Sequence, residues 1–273
     1  PISFIDRDHR QYDYVLILNS YNESAPWSNS ITSPIMHKIS ELKDIDAYIE
    51  HLNLFMVNDS VMVDRFPQML LNKYGKTPPK LLVLLGSMSM IFREEIKEMW
   101  GDVSILVCDS DPYIYTEEYY RKQDVTTPEN KIHVDSLRDD YNITFMHTPA
   151  YLKESVKLMT RMIPNMKKLI FLGDGIYPNP EYNKQLKNII ARDFPYLQYQ
   201  FISSYNYTLP ELYNALRNAD KETGVLVSTW FAETLTSQQM LINAYRSLSS
   251  ISSPLFSIRY AGMDDGGMVG GYM

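Results

Sequence analysis

The sequence predicts an α/β protein of two lobes, each a parallel sheet flanked by helices. Three observations predict it. Short, continuous apolar runs such as Tyr14-Val-Leu-Ile-Leu18 and Leu81-Leu-Val-Leu-Leu85 read as strands buried on both faces. Segments with apolar residues at helical spacing separate such runs, and short links join them, which is the rhythm of strand–helix–strand units. The rhythm breaks over residues 111–140 and then restarts, so the 273 residues hold two successive halves.

In the first half the expected strands are 14–18, 52–57, 81–85 and 103–108, with a short one at 143–147 leading out. The expected helices are 28–42, with Ile31, Ile35, Ile39 and Leu42 on one stripe, then 61–74 and 91–100. Residues 111–140 are polar and Tyr-rich and read as a loop or small excursion. In the second half the expected helices are 149–163, 180–194, 209–219 and 236–248, with Pro210 well placed in a first turn. The strands are 169–172, 197–202, 224–228 and 255–258. Residues 262–271 are too glycine-rich for a regular element. The expected division is lobe one at 1–147, lobe two at 148–259, and a crossing back toward lobe one at 260–273.

Composition narrows the function. Apolar residues make up 45% and charged residues 22%, so the chain can bury a sizeable core without staples. The net charge of −7 and the lack of clustered Lys and Arg argue against a nucleic-acid partner. No apolar run approaches the about 20 residues that span a bilayer. The lone cysteine, Cys108, lies in an apolar run and reads as a core residue. None of the five histidines has metal-ligand spacing, so no metal and no cofactor are expected. The phosphate-cradling glycine motifs and the Gly-x-Ser-x-Gly elbow are absent, and no catalytic residue is singled out.

In open α/β sheets ligands sit outside the carboxyl ends of the strands. The residues there are the candidates for binding a small molecule. After the first strand come Ser20, Tyr21 and Trp27, beside a helix start where Ser28 as an N-cap is the alternative reading. After the third come Gly86 and Ser87, where glycine permits close backbone approach. After the fourth comes Asp109, with Asp111 reading rather as turn chemistry before Pro112. The second half offers Asp174 and Tyr177, then Tyr205, then Trp230 beside Phe231, and Asp264 in the glycine-rich stretch. Trp27 and Trp230 suit stacking on a flat ligand face. His147, ahead of a helix at the lobe boundary, is the one histidine placed near a cleft.

Four segments, VLILNSYNESAPWSNSI (15–31), YLKESVKLMTRMIPNMKKLIFLGDG (151–175), GVLVSTWF (224–231) and PLFSIRYAGMDDGGMVGGYM (254–273), carry a resemblance. In order and spacing they resemble the periplasmic-binding-protein-like sensor domains of bacterial histidine kinases, relatives of ABC-transporter substrate-binding proteins of the type I fold. The resemblance implies two Rossmann-like lobes joined by three crossings, with a small molecule (a sugar, nucleoside-like or amino-acid-like compound) held between them. It implies an extracytoplasmic domain of an inner-membrane protein, signalling to a membrane-attached kinase module, and a possible homodimer. A solute-binding protein of an ABC transporter is the alternative, and an α/β enzyme with a dispersed site the next. In such domains the chain returns to lobe one after the glycine-rich stretch. Here it stops at Met273, so a closing helix and a membrane-proximal segment are expected to lie beyond it.

Overall fold

The computed structural model describes residues 13–23, 25–54, 64–116, 131–175, 178–204, 206–229, 248, 251–258 and 267–272. The chain divides into two compact units, residues 1–149 and 150–273.

Unit one is built on β1 (Asp13–Asn19), α1 (Pro26–Ser40), β2 (Ile45–His51), α2 (Phe66–Tyr74), β3 (Leu81–Leu85), a 3-10 turn (Ser87–Phe92) and α3 (Arg93–Trp100), followed by β4 (Ile105–Asp109). A short antiparallel hairpin, β5 (Tyr113–Tyr115) with β6 (Lys131–His133), and the strand β7 (Ile143–His147) follow. The main sheet is parallel, in the order β2-β1-β3-β4-β7. Leu16, Ile17, Leu18 and Leu82–Leu85 are almost fully buried, as strands covered on both faces must be. Val15, Ile17, Val83, Leu85 and Cys108 form one face of the core, against Ile31, Ile35 and Ile39 of α1.

Two expectations need correction here. The second strand is Ile45–His51, not 52–57. It is an edge strand whose residues are half-buried or exposed, so Asp46 and Glu50 are tolerated and the apolar-run signal is missing. Leu52 and Leu54 are buried all the same, because their backbone N–H groups donate to the Asn19 and Ser20 carbonyls (2.8 and 2.9 Å) and fold the segment back over β1. The first helix starts at Pro26, with Ala25 as N-cap; proline suits a first turn, whose N–H is unsatisfied anyway. Ser28 is therefore not the cap. The excursion contains the β5–β6 hairpin and a 3-10 turn at Val134–Leu137.

Unit two carries α4 (Leu152–Met162), β8 (Lys168–Gly173), α5 (Asn179–Asp193), β9 (Gln198–Ser203), α6 (Leu209–Arg217), β10 (Thr223–Val227), β11 (Leu255–Ser257) and β12 (Met268–Gly270). Its sheet is also parallel, in the order β12-β11-β10-β8-β9. The period-2 alternation of β8 divides the core. Leu169 and Phe171 join Val156, Met159, Leu186 and Ile190 on one face. Ile170 and Leu172 join Leu212, Leu216 and Leu248 on the other. Of the expected helix at 236–248, only Leu248 is among the described residues; it is helical and buried.

The glycine-rich stretch holds a regular element after all. Met268–Gly270 is a strand on the edge of the second sheet, beside β11. Its glycines allow this, since a Cβ on Gly271 would lie 2.1 Å from the Ser257 carbonyl oxygen. Only a residue without a side chain lets the backbones approach so closely.

Numbered by chain order within each sheet, both units run 2-1-3-4-5. In each, the strand order reverses between the first strand and the third. That reversal point, at the carboxyl ends, is where ligands sit in open α/β sheets.

Candidate functional site

In unit one the reversal lies between β1 and β3. The hinge of the arrangement is Asn19, the last residue of β1 and fully buried. Its Oδ1 accepts the Tyr21 N–H (3.1 Å), and its Nδ2 donates to Ser28 Oγ (3.2 Å) and to His51 Nδ1 (2.9 Å). Ser20, also fully buried, donates its hydroxyl to the Gly86 carbonyl (3.2 Å) and shares a 2.6 Å bond with Ser89 Oγ. Gly86 has φ +84°, and a Cβ there would meet the Tyr21 ring at 3.0 Å. Its glycine is thus required twice, by backbone conformation and by space. Asp109, at the end of β4, accepts the Ser87 N–H and the Ser110 N–H (2.6 Å). Next to it, burial and the Asp109 charge push the Cys108 thiol up to about 11, so Cys108 is an inert core thiol. His147, at the end of β7, is exposed and donates its Nε2 proton to the Ser110 carbonyl (2.9 Å), because a carbonyl can only accept.

In unit two the reversal lies between β8 and β10. Asp174 follows β8 and is fully buried. Its N–H donates to the Thr229 carbonyl (2.6 Å), and its Oδ1 accepts from Asn179 Nδ2 (2.6 Å). Asn179, in the first turn of α5, also donates to Thr229 Oγ1 (2.9 Å), while its own Oδ1 is buried without a partner. Gly173 makes room for it, since a Cβ there would stand 2.9 Å from Asn179 Cγ. Ser204 Oγ, after β9, accepts the Gly175 N–H (3.2 Å).

The sequence-predicted residues therefore fall into three groups. Ser20, Gly86, Ser87, Asp109 and Asp174 lie at the carboxyl ends, but buried, knitting the loops of their own unit together. Tyr21 and Trp27 sit edge to face, with ring centroids 5.5 Å apart, and Trp27 is half-buried. Tyr177, Tyr205, Trp230 and Asp264, with Phe231, lie outside the described residues. Asp111 is used locally, accepting from Tyr115 Oη (2.9 Å) and the Tyr113 N–H (3.2 Å). Sequence reasoning passed over His51 and Asn179, and placed Asn19, Ser89 and Thr229 in the strand-end loops without choosing them as binding residues. The signal for Asn19 was present: an amide closing an apolar strand is well placed to bond the loop that follows.

Among the described residues no group of three or more His, Cys, Asp or Glu is placed to hold a metal ion, and no helix is long and apolar enough to cross a membrane.

No family model matches the chain, and no curated protein matches it. Solved structures do match. One is an ABC domain in complex with L-Trp from Streptococcus pneumonia, 13% identical, covering 94% of this chain and 77% of that one, with a TM-score of 0.55. Another is an ABC transporter periplasmic solute binding protein from Actinobacillus succinogenes with bound D-allose. It is 11% identical, covers 90% of this chain and 78% of that one, and has a TM-score of 0.52. At such identities the likeness is one of fold. Two five-stranded parallel sheets flanked by helices, in the same 2-1-3-4-5 order, give this chain the type I periplasmic-binding-protein fold.

Proposed function

We propose that the protein is an extracytoplasmic solute-binding protein that takes up a small molecule through the strand-end loops of both units. The observation that carries this reading is the doubled reversal point. In each unit the described residues at the carboxyl ends of the strands are tied together by buried polar side chains, at the position where open α/β sheets bind ligands. Rims held in place by Asn19, Ser20, Asp109, Asp174 and Asn179 need little reordering on binding, which favours affinity. A ligand bridging both rims binds a closed arrangement better than an open one. That difference alone shifts the population toward closure.

Tyr21 and Trp27 supply an aromatic edge on unit one, and Tyr177, Tyr205 and Trp230 are assigned the matching role on unit two. Asp264 remains a candidate for a hydroxyl or amine of the ligand. Proteins of this fold named above bind L-Trp in one case and D-allose in the other, so amino acids and sugars are the first classes to test.

The sensor reading rests on the four segments at 15–31, 151–175, 224–231 and 254–273. The two solved structures carry ABC names instead, which favours solute delivery. Sequencing the gene on both sides of these residues separates the two readings: a following membrane helix and kinase gives the sensor.

Thermal-shift screening against amino acids, aldoses and nucleosides tests the proposal. A ligand present at 100 times its Kd stabilises by about 2.7 kcal/mol, enough to raise Tm by several degrees. The expected result is a stabilising compound recovered unchanged. A compound recovered as a product makes the protein an enzyme, and a panel with no stabilising member defeats the reading.

A further inference from the structure

His51 closes β2 directly beside Asn19, its register partner at the end of β1. Asn19 is fully buried, whereas His51 is exposed. The orientation of the Asn19 amide is settled twice over. Its oxygen faces the Tyr21 N–H, which can only donate. Its nitrogen faces Ser28 Oγ, whose single proton goes to the Ala25 carbonyl (3.0 Å) and which therefore accepts. The second proton of Nδ2 then points at His51 Nδ1, 2.9 Å away, a shorter approach than the 3.5 Å to the Asn22 carbonyl. That ring nitrogen must offer its lone pair, so the neutral ring carries its proton on Nε2, on the far side from Asn19.

We propose that His51 is a ligand-orienting residue whose fixed Nε2–H donates a hydrogen bond to an acceptor oxygen of the solute, a carboxylate, carbonyl or hydroxyl. This rests on the solute-binding reading and adds a residue and a polarity to it. A ring held as a donor accepts no proton from a ligand, so an ammonium group is turned away from this position. A buried, fully bonded asparagine that fixes the tautomer of an exposed histidine is the arrangement that sets a ring's outward face in binding sites. His147 has the opposite polarity. Its Nε2 proton is spent on the Ser110 carbonyl, so its remaining nitrogen is an acceptor in the neutral ring. The two sit at opposite edges of the sheet, on β2 and β7.

The test has two parts. Imidazole nitrogen NMR on the ligand-free protein at neutral pH is expected to show His51 as the Nε2–H tautomer; an Nδ1–H tautomer overturns the proposal. Calorimetric titration then compares wild type, His51→Ala and His51→Gln, using the amino acids, aldoses and ribonucleosides of the screen. Gln places an amide N–H near the position of Nε2. The expected result is binding about tenfold weaker for His51→Ala and within about threefold of wild type for His51→Gln. Equal binding by wild type and His51→Ala, or equal weakness of both variants, overturns the donor role and leaves the solute-binding reading standing. If wild type binds no member of the panel, that reading fails and takes this one with it.

Discussion

The two units share a strand order but lock their rims in opposite ways. In unit one the asparagine belongs to the strand: Asn19 reaches from the end of β1 out to Ser28 on the helix and His51 on the neighbouring strand. In unit two it belongs to the helix: Asn179 reaches back from α5 to Asp174 and Thr229 in the strand-end loops, and the strand makes room by ending in Gly173. The buried carboxylates differ as well. Asp109 ends the fourth strand and accepts backbone N–H groups, while Asp174 follows the first strand of its sheet and accepts from a side chain. One topology thus demands a tied reversal point without dictating which residue ties it. This is why the halves share a rhythm and no sequence repeat.

The comparison can be broken residue by residue, with hydrogen exchange reporting each unit separately. Asn179→Ala has the largest expected effect. It strips a 2.6 Å donor from the buried Asp174 carboxylate, and bonds to charged groups are worth about 1.5–3 kcal/mol. Protection is expected to fall across β8 and β10 and to hold in β1–β4. Asn19→Ala follows, at about 2 kcal/mol, because it leaves the buried Tyr21 N–H without its acceptor. Its loss of protection is expected in β1, β2 and β3 alone. A loss spread evenly over both units in either variant would show that the rims are not independent.

Gly86→Ala comes next, at about 1–2 kcal/mol. It forces an L-residue to φ +84° and crowds the Tyr21 ring. Urea unfolding followed through the aromatic signal near Trp27 reads it. The smallest effect concerns Cys108. Its thiol titrates near 11 in the folded chain, above the usual value of 9.0, so folding favours the protonated form. The resulting stability is present below pH 9 and is lost as pH rises toward 11. Cys108→Ser is expected to flatten that alkaline decline in unit one slightly, and native Cys108 to resist iodoacetamide at neutral pH.

Much of the fold was legible. The apolar runs at 14–18, 81–85 and 169–172 gave β1, β3 and β8 nearly to the residue, because a central parallel strand is apolar on both faces. The edge strands were not. Ile45–His51 carries Asp46, Glu50 and His51, and Met268–Gly270 lies in a glycine-rich stretch, so neither shows a run. The misplaced second strand cost the site its least visible member. With β2 placed at 52–57, His51 has no register partner; with β2 at Ile45–His51 it faces Asn19. The carboxyl-end rule led to the strand-end loops, but it picked polar residues as if all pointed outward. Ser20, Asp109 and Asp174 point inward, since a sharp turn between buried strands must satisfy its own backbone first.

Parallel order within each half also shapes how the chain is made. The described strands of the first sheet all lie between residues 13 and 147, so they are synthesised before any described strand of the second. The described strands of the second sheet run from residue 168 to residue 270. The nascent protein thus presents the described strands of one unit before those of the other, an order that suits folding domain by domain.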